Sequence, residues 1–398
     1  MLDNNLLLVL LIMLITACGT DQQNSKSADR TRTIEISNEL VIGLENEADA
    51  ITQILGQPVG VLTDKEGNIY IGDKASLTIK VFDKDGNYLK SLGGRGRGPS
   101  EFHDINFMGT APGDNILVLD RGNFRYTTIT KEGEYVSDYI IKFENQFYFK
   151  DADFIDNKII GLAYSQASAI ESDYSDLPKR NFLKILSTDL NEKEYEFAAL
   201  SDLEIKDVFS WVYSLLYQGS ITLNKESEII YFSPGIYTGI IYSYKKVDDA
   251  EWKLNKKIEG TSPYTTPYIL YHSSAEYEEN SEYPSARMIG YSGDWHRGRI
   301  YSIDAGVHFM PETEKIAHFY GEWREGDTRM EDGNLLDLSV QIFDLDGNIV
   351  DQSYLFSLPY DMQPYFPIVN WMDEEENFYM IDYEDSAPVV RRFALDLN

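Results

Sequence analysis

Cysteine is all but absent. Cys18 is the single one in 398 residues, so no disulfide can form within the chain. Histidine is scarce, limited to His103, His272, His296, His308 and His318. No His-Glu-x-x-His and no Gly-x-Ser-x-Gly is present, and Tyr291-Ser292-Gly293 falls short of a nucleophile elbow. The commonest metalloprotease and serine-hydrolase signatures are therefore missing. Positive charge is short as well: 35 Lys and Arg stand against 66 Asp and Glu, for a formal net charge of -31. A surface of that sign repels nucleic acid and anionic membrane. Gly93–Gly98 is glycine-rich, but no Gly-Lys-Ser/Thr follows it, which argues against a phosphate loop.

What is present favours strands. Hydrophobic residues make up 43% and aromatics 13%, with 28 tyrosines, enough for a sizeable core and suited to strand surfaces. The stretch from Val59 to Gly93 divides into four short apolar runs: Val59–Leu62, Asn68–Gly72, Thr78–Phe82 and Tyr88–Leu92. Tight polar connections, including Glu66-Gly67-Asn68 and Asp85-Gly86-Asn87, separate them. Alternating runs bounded by Gly, Asn and Asp predict one antiparallel four-stranded meander. A lone meander cannot bury both faces, so it needs neighbours like itself.

Pro58-Val59-Gly60-Val61, Gly67–Ile71, Asp73, Ile79–Asp83, Asp85-Gly86-Asn87 and the linker Gly93–Phe102 together resemble an NHL repeat, the blade of a six-bladed β-propeller. Asp114–Arg125 follows the same pattern. The whole chain is similar to the NHL or TolB-like six-bladed propeller lipoproteins of Bacteroidota-type bacteria. That resemblance implies an all-β fold of six four-stranded antiparallel blades and an address in the cell envelope. The apolar run Leu6–Ile15 is too short to cross a bilayer as a helix but suits a signal peptide. It leads into Ile15-Thr16-Ala17-Cys18-Gly19, which resembles the lipobox of bacterial lipoproteins. The expectation is a signal peptide over 1–17, a lipidated Cys18 with a polar tether over 18–32, and a propeller over 33–398. Asp is absent after Cys18, so the resemblance implies the outer membrane, on either side. The n-region Met1–Asn5 has no Lys or Arg, which leaves open whether Met1 is the true start. Thr33–Leu44 reads as a strand that closes the ring against the last blade.

Further second-strand patterns occur at Lys158–Leu162, Glu228–Phe232, Arg299–Asp304 and Asn377–Asp382. In an up-down blade, the connection after strand two and the one leaving strand four emerge on the same face. Long insertions expected at about 163–181, 259–285 and 305–336 then cap one end of the central channel. Loops of such length are commonly functional. Tyr271 and His272 lie in the second insertion, and His308, His318 and Trp323 in the third. Aromatic-rich loops on a rigid scaffold make binding sites, or they simply pack the loops down.

The candidate chemistry is sparse. Asp83–Asn87 and Asp344–Asn348 lack the remaining ligands of an EF-hand loop and read as hairpin turns. Arg95, Arg97, His103, Arg121 and Arg125 are placed at the capped face, where arginines can hold a carboxylate or phosphate. Asp73, Asp120, Asp304 and Asp382 each end an expected second strand there. They could bind a divalent cation, calcium or zinc, or cap the following loop through backbone bonds. His103, His308 and His318 form a second candidate zinc set. No cofactor follows from a motif, and nothing sets the oligomeric state. The reading that results is a non-catalytic envelope binding module for a protein, peptide or glycan, touching membrane through its lipid only and no nucleic acid. The alternative is a metal-dependent hydrolase or lyase with its site at the channel mouth.

Overall fold

The computed structural model describes residues 31–43, 53–142, 147–165, 180–187, 190, 193–203, 215–248, 251–261, 268–271, 297–300, 302–323, 335–359, 368–384 and 387–397. Its strands form six four-stranded antiparallel sheets. Blade one holds β2 (Pro58–Thr63), β3 (Ile69–Asp73), β4 (Thr78–Phe82) and β5 (Tyr88–Gly93). Blade two holds β6 (Ile105–Ala111), β7 (Asn115–Asp120), β8 (Arg125–Ile129) and β9 (Tyr135–Ile140). Blade three holds β10 (Phe147–Ile155), β11 (Lys158–Ser165), β12 (Asn181–Ser187) and β13 (Lys193–Ala199). Blade four holds β14 (Ser220–Asn224), β15 (Ile229–Ser233), β16 (Ile240–Lys246) and β17 (Trp252–Glu259). A separate hairpin, β18 (Tyr268–Tyr271) with β19 (Arg297–Ile300), precedes blade five. Blade five holds β20 (Ser302–Met310), β21 (Lys315–Trp323), β22 (Leu335–Asp344) and β23 (Ile349–Pro359). Blade six holds β24 (Val369–Met372), β25 (Phe378–Glu384) and β26 (Ala387–Asp396), and its fourth strand is β1 (Glu35–Ile42).

Local chemistry explains the tight turns. Between β2 and β3, Asp64 Oδ1 accepts the backbone N–H groups of Glu66 and Asn68, and Oδ2 accepts from Asn68 Nδ2 and Tyr70 Oη. Gly67 supplies the positive φ, +82°, that the turn needs. The same Asp-to-Asn clasp recurs at Asp83–Asn87, Asp344–Asn348 and Asp373–Asn377. These are the hairpin turns expected from the sequence, closed by side-chain to backbone bonds.

Alternation along each strand buries side chains on both faces, so neighbouring blades share cores. Leu62, Tyr70, Ile79 and Val81 of blade one pack with Ile105, Met108, Ile116 and Val118 of blade two. Ile69 and Ile71 pack on the other side with Tyr379, Ile381 and Val390 of blade six. Truncating one such residue to Ala costs about 2–5 kcal/mol.

Ring closure by an N-terminal strand is as expected: β1 runs antiparallel to β26, pairing Glu35 with Asp396 and Ile42 with Val390. That pairing covers an edge that would otherwise be open to other chains. The end of the expected tether is not free. Arg32 donates to the Leu355 carbonyl at 2.5 Å, and Thr33 donates to Ser353 Oγ at 3.0 Å, so both rest on blade five's outer strand.

Two sequence expectations need correction. Arg299–Asp304 is not the second strand of blade five; it spans β19 and the start of the innermost strand, β20, and β21 is the second. Its pattern of alternating apolar residues ending in Asp imitates a second strand. The expected insertion at 305–336 is consequently mostly strand, and only 324–334 connects β21 to β22. Blade three begins at Phe147, eleven residues before the second-strand pattern at Lys158–Leu162. The signal peptide, Cys18 and His272 lie outside the described residues, as do most of 163–181 and 259–285.

All the long connections leave one face. They are 94–104, 166–180, 200–219, 260–301 and 324–334, along with 43–57 and 360–368. Among the described residues, the opposite face carries tight turns such as 64–68, 112–114, 156–157 and 345–348.

Candidate functional site

The innermost strand of each blade lines the central channel, and five of the six carry an irregularity. The register slips between Pro58 and Gly60, Ile105 and Phe107, Phe149 and Asp151, Asp304 and Gly306, and Val369 and Trp371. Each slip is a β-bulge that takes one residue off the ladder and re-aims its side chain. The extra residues are Val59, Asn106, Lys150, Ala305 and Asn370. Four of them, Val59, Asn106, Lys150 and Asn370, line a cavity of about 220 Å³ at the long-connection end of the channel. Blade four is regular, and Gln218, just before β14, lines the cavity in its place.

The chemistry of this cavity is mixed. Phe107, Met108 and Trp371 form apolar wall, and Gln57, Lys74 and Asp151 add polar wall. Lys74 is paired with Asp104 at 2.8 Å. Lys150 has no hydrogen-bond or ion-pair partner among the described residues. Enclosure by protein, followed by the charge of Arg121, pushes its pKa down to about 8. Arg121 lies exposed with its guanidinium 4.8 Å above the Tyr148 ring. Asn370 Oδ1 is buried with no hydrogen-bond partner. Asp151 accepts from the Ile221 N–H at 2.8 Å. Burial raises its pKa to about 7, with Asp153 and Asp304 adding to the rise against the backbone bond from Ile221.

Asp151, Ala152, Asn370 and Trp371 also line a second cavity, of about 590 Å³, at the short-turn end. Acidic residues crowd it: Asp64, Asp114, Asp153, Glu226, Glu314 and Asp373, with Lys65 and Lys225 among them. His308 lines it too, donating from Nε2 to the Val369 carbonyl at 3.0 Å. Burial pushes the His308 pKa down to about 4.

The four expected carboxylate ligands serve the fold. Asp73 accepts from the N–H groups of Gly56, Gln57 and Ala75 and from Ser76 Oγ, with Lys80 at 3.2 Å. Burial would raise its pKa, yet these bonds and Lys80 outweigh it and hold the pKa below the usual value. Asp120, fully buried, accepts from the N–H groups of His103, Asp104 and Asn123 and from Asn123 Nδ2. Asp382 accepts from the Tyr383 N–H and from Arg391 Nε. Asp304 belongs to an innermost strand rather than a second-strand end. It accepts from Ser220 Oγ at 2.7 Å and His318 Nε2 at 3.0 Å. Among the described residues, no group of three or more His, Cys, Asp or Glu could hold a metal ion, so neither the Asp set nor the three histidines converge there.

His318 touches both Asp304 and Ser233, which invites comparison with a nucleophilic triad. Such a triad runs in series through both ring nitrogens. Here both contacts fall on Nε2, with Ser233 Oγ at 3.0 Å, and Nδ1 has no partner. All three residues are fully buried. The trio joins blade four to blade five. Close by, Glu322 and Asp337 are buried opposite each other on β21 and β22. Burial, followed by the Asp337 charge, raises the Glu322 pKa to about 8.

The remaining expected residues divide. Arg95, Arg97, His103 and Arg121 are exposed at the long-connection face. Arg125 is buried and structural: it pairs with Asp138 at 2.7 Å and donates to the Gly98 and Glu101 carbonyls. Tyr271 ends β18 and Trp323 ends β21. Lys150, Gln218 and Asn370 were missed. The available signal was two adjacent charges, Lys150-Asp151, inside the apolar run Phe147–Ala152.

Residues 41–206 match the DUF5128 family model, described as a 6-bladed beta-propeller. A crystal structure of a DUF4221-family member from Bacteroides vulgatus matches 93% of this chain and 99% of its own, at TM-score 0.55 and 12% identity. A Bacteroides fragilis protein matches 92% and 97%, at 0.49 and 9%. A virginiamycin B lyase from Staphylococcus aureus matches 92% and 100%, at 0.43 and 10%. No curated protein matches. Likeness at this level shows fold alone. The family match and the Bacteroides vulgatus structure support a six-bladed propeller fold.

Proposed function

We propose that this protein is a lipid-anchored binding module of the cell envelope, probing its surroundings with the long-connection face of a six-bladed propeller. It holds a protein, peptide or glycan there and does no chemistry on it. The observation that carries this reading is the cavity at that end of the channel, where bulged inner strands bring Asn106, Lys150 and Asn370 together beneath the long connections. A rigid ring under variable loops is a common way to build a recognition site. The lipobox resemblance at Cys18 supports the anchor.

The test is binding of the full chain, in detergent, to peptide and glycan arrays. Retention that falls with Arg121→Ala but not with Lys65→Ala, on the opposite face, is the expected result. No retention, or loss from both variants alike, overturns the reading. For the anchor, Cys18→Ser is expected to abolish labelling by a radiolabelled fatty acid and release the protein from membranes.

A further inference from the structure

We infer that the cavity at the long-connection end is a carboxylate pocket, with the Lys150 ammonium as its anchor and Arg121 exposed outside its lining on the same face. This rests on the binding-module reading and adds the chemical class of the ligand. Three observations lead there. Lys150 is turned into the cavity by a bulge, and no anion among the described residues answers its charge. A half-buried cation facing a cavity with no counter-charge among the described residues leaves room for an anion from outside. The neighbouring cation Lys74 is already answered by Asp104 at 2.8 Å, and Asp151 is turned to the Ile221 N–H. The positive charge left over is small, which suits a singly charged carboxylate better than a doubly charged phosphate.

The rest of the lining describes what carries the carboxylate. The Asn370 Oδ1 acceptor is buried without a donor, so the ligand brings an N–H or O–H close to its acid group. Gln57 and Gln218 offer further amides, and Trp371, Phe107 and Met108 offer apolar wall. A volume of about 220 Å³ holds a single sugar or amino-acid residue, not a longer segment. A sugar acid and the C-terminal residue of a peptide share this chemistry.

Calorimetric titration of the full chain in detergent separates them. The probes are D-glucuronate against D-glucose, N-acetylglycine against N-acetylglycinamide, and inorganic phosphate. At least one carboxylate is expected to bind about tenfold or more tightly than its neutral mate and than phosphate. The stronger of the two carboxylates identifies the source. Lys150→Gln is expected to remove that preference, Lys150→Arg to keep most of it, and Arg121→Gln to weaken it by a smaller factor. Melting of each variant, measured alongside, confirms that it is folded. Equal binding of acid and neutral mate, preference for phosphate, no binding, or an unchanged Lys150→Gln overturns the pocket. If arrays reveal a ligand whose retention depends on Arg121 but not on Lys150, the module stands and the pocket falls. If carboxylates bind as stated and no array ligand does, the pocket stands and the module falls.

Discussion

The two faces of the propeller use the same residue types to different ends. On the short-turn face, Asp64, Asp83, Asp344 and Asp373 each clasp their own hairpin within four residues. Those turns are nearly self-sufficient, since donor and acceptor are neighbours in sequence. On the long-connection face, Asp73 and Asp120 reach back 16 or 17 residues to seize the chain before their blade's first strand. They organise passages between blades, so their loss is felt over a distance. The channel ends differ likewise: a lysine without a partner among the described residues lies at one and crowded carboxylates at the other. Local turns satisfy their backbone from within, whereas the face assembled from distant pieces depends on contacts between blades.

Asp120→Ala should show the largest effect. It strands the N–H groups of His103, Asp104 and Asn123 and removes the carboxylate near the buried Arg125 guanidinium, 3.9 Å away. A loss of about 3–5 kcal/mol is expected from the denaturant midpoint. A loss under about 1 kcal/mol would erase the contrast between faces.

Glu322→Gln comes next, and its sign is opposite. The carboxyl has a folded pKa of about 8 against an ordinary 4.5. The folded state therefore binds the proton more readily, and this stabilisation is full below about 4.5 and lost as pH rises through 8. The variant should match the parent near pH 5 and exceed it above pH 8 by on the order of 1–3 kcal/mol, because Gln can donate to Asp337 without ionising. Parallel unfolding curves at both pH values decide; a gap that does not change with pH rejects the assignment.

Asp83→Ala should be the mildest. Its clasp is partly exposed and water can replace it, so about 1 kcal/mol or less is expected. A cost equal to that of Asp120→Ala would mean the short turns are not self-sufficient.

Legibility in the sequence followed the same division. Blade one was readable almost residue by residue, from Val59–Leu62 against the observed Pro58–Thr63 to Tyr88–Leu92 against Tyr88–Gly93. Its strands are short, alternating and bracketed by turn residues. Blade five was misread because its strands are long and the pattern Arg299–Asp304, running from β19 into the innermost strand, copies a second strand. Asp73 and Asp120 stood out as recurring second-strand ends, read as metal ligands or as loop caps. Whether they capped loops or met at a metal depended on where the preceding linker passed. Lys150 drew no notice, since a charge in a strand carries no mark of a bulge.

The sequence alone determined the repeat, the tight turns, the closing strand and the face from which long connections leave. Those properties are local: they follow from side-chain alternation, from glycine and Asn at turns, and from counting strands up and down. Only the tertiary structure decided what meets in the channel. Asn106, Lys150, Gln218 and Asn370 come from four different blades. Radial closure and the bulges bring them together, and neither is encoded in the spacing of residues along the chain.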